Sequence, residues 1–327
     1  MVVFKLKIEF FKRSLLFILL CSSFSIFSQS FQSTSIPLVK EVFNGKSIFV
    51  DFDNDGNLDL LVSGSEDFFT IKTRIYKNVG LGNFEEMAQL PGIFYGDVDA
   101  TDYDGDGFID ILLVGATNSL GAPIGTKFYK NKGLFTFQEV SNGLPNLRSG
   151  IVKFGDYDND GDADIWLDGI VASERIHEIY RNDAGQFAAI GLNIKYGDQG
   201  NIAWQDYDLD GDLDFVFFSN LNPIAIYKNL GDDLFVPFYI EHSGSSITNI
   251  DWGDYNNDGK PDLVLLGAHR NSQMAEVLIL KNTGNDNFEN LVVGTIEGSP
   301  YSYGNLNFVD VDSNGDLDIV NPFVIFF

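Results

Sequence analysis

Short apolar runs alternate with polar punctuation along this chain, and the alternation recurs as a block. One run leads into an acidic segment, as in Ile151-Val152-Lys153-Phe154 and Ile202-Ala203-Trp204. A second leaves it, as in Leu58-Asp59-Leu60-Leu61-Val62 and Pro261-Asp262-Leu263-Val264-Leu265-Leu266. A variable polar or glycine-containing stretch follows. A third run then ends on Tyr76-Lys77-Asn78, Tyr129-Lys130-Asn131, Tyr180-Arg181-Asn182, Tyr227-Lys228-Asn229 or Leu280-Lys281-Asn282. After a turn, a fourth run opens with Phe84, Phe137, Phe187, Phe235 or Phe288. Runs this short, bounded by Gly, Asn and Asp, read as β-strands. No stretch beyond the N-terminal segment sustains a helical period. The pattern predicts an all-β chain with four strands per block.

The acidic segment is best seen in Asp156 to Asp164, DYDNDGDAD. Asp156, Asp158 and Asp160 occupy loop positions 1, 3 and 5, so their side chains can converge on one side of an extended segment. Gly161 at position 6 permits a left-handed turn. Asp164 at position 9 closes the cage, and the backbone carbonyl of Asp162 at position 7 adds a neutral oxygen. The same five positions are Asp51, Asp53, Asp55, Asn57 and Asp59 in the first copy, and Asp102, Asp104, Asp106, Phe108 and Asp110 in the second. In the fourth they are Asp206, Asp208, Asp210, Asp212 and Asp214. The fifth has Asp254, Asn256, Asp258, Lys260 and Asp262, and the sixth Asp310, Asp312, Asn314, Asp316 and Asp318. Carboxylates about 4 Å apart repel by about 4 kcal/mol at an effective dielectric of about 20, so the loop calls for a cation. An all-oxygen shell suits Ca2+, giving up to six ions. Asn256 and Asn314 each remove a charge, so loops five and six should bind more weakly. An EF-hand needs Glu at position 12, which here is Val62, Leu113, Leu167, Phe217, Leu265 and Asn321.

Successive first aspartates are 51, 54, 50, 48 and 56 residues apart. A period near fifty means one supersecondary unit per repeat. Four strands repeated radially is the blade pattern of a β-propeller, with a linear solenoid as the competitor. Phe31 lies 20 residues before Asp51, the spacing of a fourth strand, so it is expected to share a blade with the C-terminus. The C-terminal unit offers two runs, Asn305 to Val309 and Leu317 to Phe327. The expectation is six or seven blades with the last one incomplete, either shortened or cut from a longer chain.

The 327 residues carry a net charge of −26, and 22 of the 47 acids sit at loop positions 1, 3, 5 and 9. Much of the charge is therefore ligand rather than a general acidic surface, and nucleic acid is a poor partner. Residues 1–29 read as a secretory signal: Lys5, Lys7, Lys12 and Arg13 precede the apolar stretch Ser14 to Phe27 and a small-residue exit at Ser28-Gln29-Ser30. Residues 30–327 then form the repeat domain, with no membrane span. Cys21, the one cysteine, lies in the signal, so the exported chain has no disulfide and bound ions would stabilise it instead.

Trp252-Gly253-Asp254-Tyr255 leading into an acidic loop, followed by Lys-Asn-x-Gly and Phe, resembles the FG-GAP/VCBS repeats, related to those of integrin α-subunit propellers. The resemblance covers Phe31 to Phe327. It implies a calcium-loaded β-propeller in which each loop joins the first two strands of a blade, in secreted or cell-surface proteins linked to adhesion or carbohydrate contact. It also implies that contacts are made opposite the calcium side, on Gly64 to Lys72, Gly115 to Lys127, Gly169 to His177, Asn220 to Pro223 and Gly267 to Ala275.

No nucleophile motif or phosphate-binding loop occurs. His177, His242 and His269 lie in different repeats and read as isolated surface residues, with His177 and His269 on variable loops. Trp166, Trp204 and Trp252 flank acidic loops and read as core. The expectation is a non-enzymatic module at the cell surface or outside it, binding an extracellular protein or carbohydrate. The alternatives are a calcium-dependent polysaccharide lyase, with Lys127 or His269 as candidate bases, and a structural module of a longer surface protein.

Overall fold

The computed structural model describes residues 42–67, 70–116, 123–192, 194, 200–219, 224–240, 247–268, 274–296, 307–310, 315–321 and 324–326. The signal-like segment, Phe31, His242 and His269 lie outside the described residues. Among the described residues there is no helix, and hence none long and apolar enough to cross a membrane.

The described residues form twenty-three strands in antiparallel sheets, each taken from consecutive sequence. The first sheet is β1 (Phe43–Val50), β2 (Asp59–Ser65), β3 (Ile71–Gly80) and β4 (Asn83–Pro91). The second is β5 (Phe94–Thr101), β6 (Asp110–Ala116), β7 (Pro123–Asn131) and β8 (Phe137–Val140). The third is β9 (Arg148–Gly155), β10 (Asp164–Val171), β11 (Glu174–Asp183) and β12 (Gln186–Ala189). The fourth is β13 (Gly200–Gln205), β14 (Asp214–Ser219), β15 (Ile224–Asn229) and β16 (Phe235–Ile240). The fifth is β17 (Ile247–Gly253), β18 (Asp262–Ala268), β19 (Ala275–Gly284) and β20 (Asn287–Ile296). The sixth has three strands, β21 (Asn307–Val309), β22 (Asp318–Asn321) and β23 (Val324–Phe326). Strand order within every sheet follows the chain, so each is a meander.

The runs differ in polarity because the strands differ in position. Second strands open on an aspartate, are otherwise largely apolar, and are buried on both faces: every residue of β2, β6 and β14 is buried. Fourth strands alternate and are largely exposed, as β4 is. Successive side chains of a strand point to opposite faces. In β6, Ile111 and Leu113 therefore pack toward the first sheet, while Leu112 and Val114 pack toward the third. The same division recurs at Trp166 against Ile165, and at Val216 against Phe215. The core is thus a series of layers between consecutive sheets. First strands of consecutive sheets lie against one another along one side of the array, β1 against β5, β5 against β9, β9 against β13, β13 against β17 and β17 against β21.

On that edge, carboxylates of the preceding sheet accept backbone N–H groups that the ladder leaves over. Asp99 accepts from Phe154 N–H at 2.9 Å, Asp168 from Gly200 N–H at 3.1 Å and Asp251 from Phe308 N–H at 2.9 Å. Sheets also meet closely where the first strand enters a loop. A Cβ on Gly155 would lie 2.9 Å from Trp204 Nε1, so the indole of the next sheet rests on bare backbone there. Trp166 is fully buried, while Trp204 and Trp252 are half-buried against the layers on either side of the fourth sheet.

Two sequence expectations need correction. The run Leu317 to Phe327 is not one strand: Asp318–Asn321 and Val324–Phe326 pair antiparallel, Asn321 opposite Val324, so a third strand forms within it. The stretch Gly169 to His177 is not a loop: β10 runs to Val171, β11 starts at Glu174, and His177 pairs with Asp168 in the ladder. His177 is consequently buried, its Nδ1 2.7 Å from Asp168 Oδ2 and its ring 5.3 Å from Phe217 edge to face. It is not an isolated surface residue.

Candidate metal sites

Each acidic loop joins the first two strands of its sheet, and its backbone is held by its own carboxylates. Position 1 accepts N–H bonds from positions 5 and 6: Asp51 from Asp55 (3.1 Å) and Gly56 (2.8 Å), Asp102 from Asp106 (3.0 Å) and Gly107 (2.8 Å). Asp206 and Asp254 repeat both bonds, while Asp156 and Asp310 accept from Gly161 and Gly315. Position 5 accepts from the N–H of position 7, in Asp55–Asn57 (2.9 Å), Asp106–Phe108 (3.1 Å), Asp160–Asp162 (2.8 Å), Asp210–Asp212 (3.1 Å) and Asp258–Lys260 (3.1 Å). These are side-chain-to-backbone turns typical of Asp. Position 6 is left-handed, with φ of 94° at Gly161. So is position 4: φ is 60° at Asn54, 58° at Asn159, 63° at Leu209 and 55° at Asn257.

Position 9 is the anchor. Asp59, Asp110, Asp164, Asp214 and Asp262 are completely buried. Asp164 accepts from Tyr157 N–H (3.0 Å) with one oxygen and Asn182 N–H (2.8 Å) with the other, and Asp59 does the same with Phe52 and Asn78. Burial outweighs these bonds and pushes the carboxyls of Asp110, Asp164 and Asp214 up to about 7, and that of Asp262 to about 6.

Carboxylate oxygens from positions 1, 3 and 9 lie within 4.8 Å of one another in Asp51–Asp53–Asp59, Asp102–Asp104–Asp110 and Asp156–Asp158–Asp164. In the fourth loop the set is Asp206–Asp208–Asp210. Asp53 Oδ1, Asp104 Oδ1, Asp156 Oδ1 and Asp208 Oδ1 are buried without a hydrogen-bond partner. A buried, unpaired anionic oxygen is costly, and a cation satisfies it. The residues therefore fit a divalent, oxygen-seeking ion. In the fifth loop, Asn256 donates its amide to Asp262 Oδ2 at 2.9 Å, taking one oxygen of the anchor. In the sixth, Asp318 is buried and Asp316 accepts from Asn257 Nδ2 at 2.8 Å, while Asp312 and Asn314 lie outside the described residues.

The recurring Lys-Asn pair has a role that its spacing alone does not reveal. The asparagine joins sheets: Asn131 Nδ2 donates to Phe52 O (2.9 Å), Asn182 to Tyr103 O (2.9 Å), Asn229 to Tyr157 O (2.8 Å) and Asn282 to Tyr207 O (2.8 Å). Each acceptor is position 2 of the preceding sheet's loop. The ring at that position meets the phenylalanine opening the next sheet's fourth strand, as in Phe52–Phe137 (5.7 Å) and Tyr157–Phe235 (5.4 Å). The lysine reaches the loop itself: Lys77 bonds Asp53 and Asp55, and Lys130 bonds Asp104 and Asp106.

Residues 51–113, 102–167, 206–265 and 254–320 match the FG-GAP-like repeat family. Each match begins on a position 1 aspartate and takes in two successive loops. No curated protein matches the chain.

Proposed function

The chain belongs to the FG-GAP-like repeat family, and on that premise we propose that it is an exported, calcium-stabilised β-propeller that binds an extracellular protein or glycan. The convergent carboxylates with buried, unpartnered oxygens carry the metal part of this reading. Calcium is the fitting ion because the donors are all oxygen and the loop is built of turns that tolerate a large, flexible shell. The repeated sheet-to-sheet joints favour a radial array. The signal-like residues 1–29 favour export.

Binding rather than catalysis suits the side chains present. His177 and Asp168 form a carboxylate–histidine pair, but both side chains are buried and Asp168 is occupied by Arg175 and Gly200 N–H. Contacts to a ligand fall to the connections between second and third strands, opposite the metal loops, where a rigid frame presents variable residues.

The test is thermal unfolding of metal-stripped protein with added Ca2+ or Mg2+. A filled site stabilises by about 2.7 kcal/mol at an ion concentration 100 times Kd, so Ca2+ should raise the Tm well above Mg2+. An unchanged melting curve in EDTA removes the calcium claim.

A further inference from the structure

The base of the Tyr-Lys-Asn motif is not used in the same way in every sheet. Lys77 Nζ bonds Asp53 Oδ2 and lies 2.7 Å from Asp55 Oδ2. Lys130 bonds Asp104 Oδ2 and lies 3.0 Å from Asp106 Oδ2. Lys228 bonds Asp208 Oδ2 and lies 3.7 Å from Asp210 Oδ2. Each ammonium thus sits on the outer oxygens of positions 3 and 5, while Oδ1 of position 3 faces inward without a partner.

The third sheet has Arg181 at this place. Its guanidinium pairs with Asp233 of the fourth sheet at 2.8 Å and Asp183 at 3.4 Å rather than with a loop carboxylate, although its charge still acts on Asp158. Asp233 also accepts from Tyr157 Oη at 2.5 Å, which places its carboxylate to draw the arginine in this direction. Loop three keeps four carboxylates, Asp156, Asp158, Asp160 and Asp164, with no ammonium among them.

We propose that this base sets the relative cation affinity of loops one to four, with Lys77, Lys130 and Lys228 weakening loops one, two and four and the diverted Arg181 leaving loop three the tightest site. The inference rests on the calcium reading above. A lysine on two ligand carboxylates lowers the charge offered to the ion and places a like charge beside it. It also holds the carboxylates together before the ion arrives, so loops one, two and four stay closed without metal more readily than loop three.

Calorimetric titration of metal-stripped protein with CaCl2 tests this on three variants: Lys228→Gln, Arg181→Lys and Arg181→Gln. A unit charge about 6 Å from a divalent ion in a water-like dielectric changes affinity about tenfold. Lys228→Gln should therefore tighten one step about tenfold. Arg181→Lys should weaken the tightest step by about the same factor, while Arg181→Gln does not weaken it. Melting in saturating Ca2+ checks that each variant is folded. Unshifted binding in Lys228→Gln and Arg181→Lys, or an equal loss in Arg181→Gln and Arg181→Lys, overturns the proposal while the calcium reading stands. If the unaltered protein takes up no Ca2+ at all, both fall.

Discussion

Asn182 of the third sheet donates its side-chain amide to the carbonyl of Tyr103, 2.9 Å away in the acidic loop of the second. A second bond from the same amide reaches Ala163 O at 3.1 Å, and its Oδ1 accepts from Gly185 N–H at 2.7 Å. One side chain thereby fastens two loops and the hairpin between β11 and β12. Asn131, Asn229 and Asn282 stand at the same place in their sheets.

Replacing Asn182 by alanine strands the buried partners of these bonds. A buried polar group left unpaired costs about 1–3 kcal/mol. Asn182→Ala should destabilise by at least that much in urea unfolding, whereas Asn83→Ala, in an exposed hairpin, should change stability by less than about 0.5 kcal/mol. Equal effects of the two would deny the joint its role.

Leu209 is the misfit at position 4. Its backbone is left-handed, φ 63°, and its side chain is exposed. Asn54, Asn159 and Asn257 occupy that conformation elsewhere, and Asn54 and Asn159 bond the next loop through Gly107 O (2.6 Å) and Gly211 O (3.0 Å). The left-handed form costs a non-glycine residue about 1–2 kcal/mol, less for Asn. Leu209→Asn should raise stability by about 1 kcal/mol, read as a higher Tm.

Gly155 has no room for a side chain, since a Cβ would press on the Trp204 indole at 2.9–3.0 Å. Overpacking of this kind costs about 1–3 kcal/mol. Gly155→Ala should lower the urea midpoint, and Trp204 fluorescence should shift with it.

Acidity should act oppositely on the metal-free and loaded protein. Burial raises Asp110, Asp164 and Asp214 to about 7, above their unfolded value of about 3.9. A carboxyl raised on folding contributes stability that is full below the unfolded value and lost as pH rises through the folded one. In EDTA the protein should thus be more stable at pH 5 than at pH 8. Calcium needs the ionised form, so its affinity should fall from pH 8 to pH 5. Chemical unfolding and calorimetry at the two pH values check both slopes.

Much of this was readable in the residues. Four runs per block became four strands per sheet, because each run is short and bounded by turn formers. The acidic loops lie between first and second strands, as the resemblance implied. Pairings across long separations were not readable. Phe52 and Phe137, or Asn131 and Phe52 O, are adjacent only because consecutive sheets stack, and nothing local announces it. The polar stretch before His177, with Ser and Glu, has the composition of a loop, yet its histidine pairs in the ladder opposite a buried carboxylate. The hairpin at the C-terminal end was missed because an apolar run carries no sign of where it folds back. The diverted arginine was visible as a letter, but its direction depends on Asp233 fifty-two residues on.

The capped first-strand edges have a consequence for solubility. A bare strand edge invites pairing with any extended chain, and proteins rich in sheet must blunt such templates. Here Asp99, Asp168 and Asp251 spend their oxygens on the N–H groups a visiting strand would seek. Carboxylates thereby occupy donors that would otherwise be open to pairing, alongside second strands that are largely apolar.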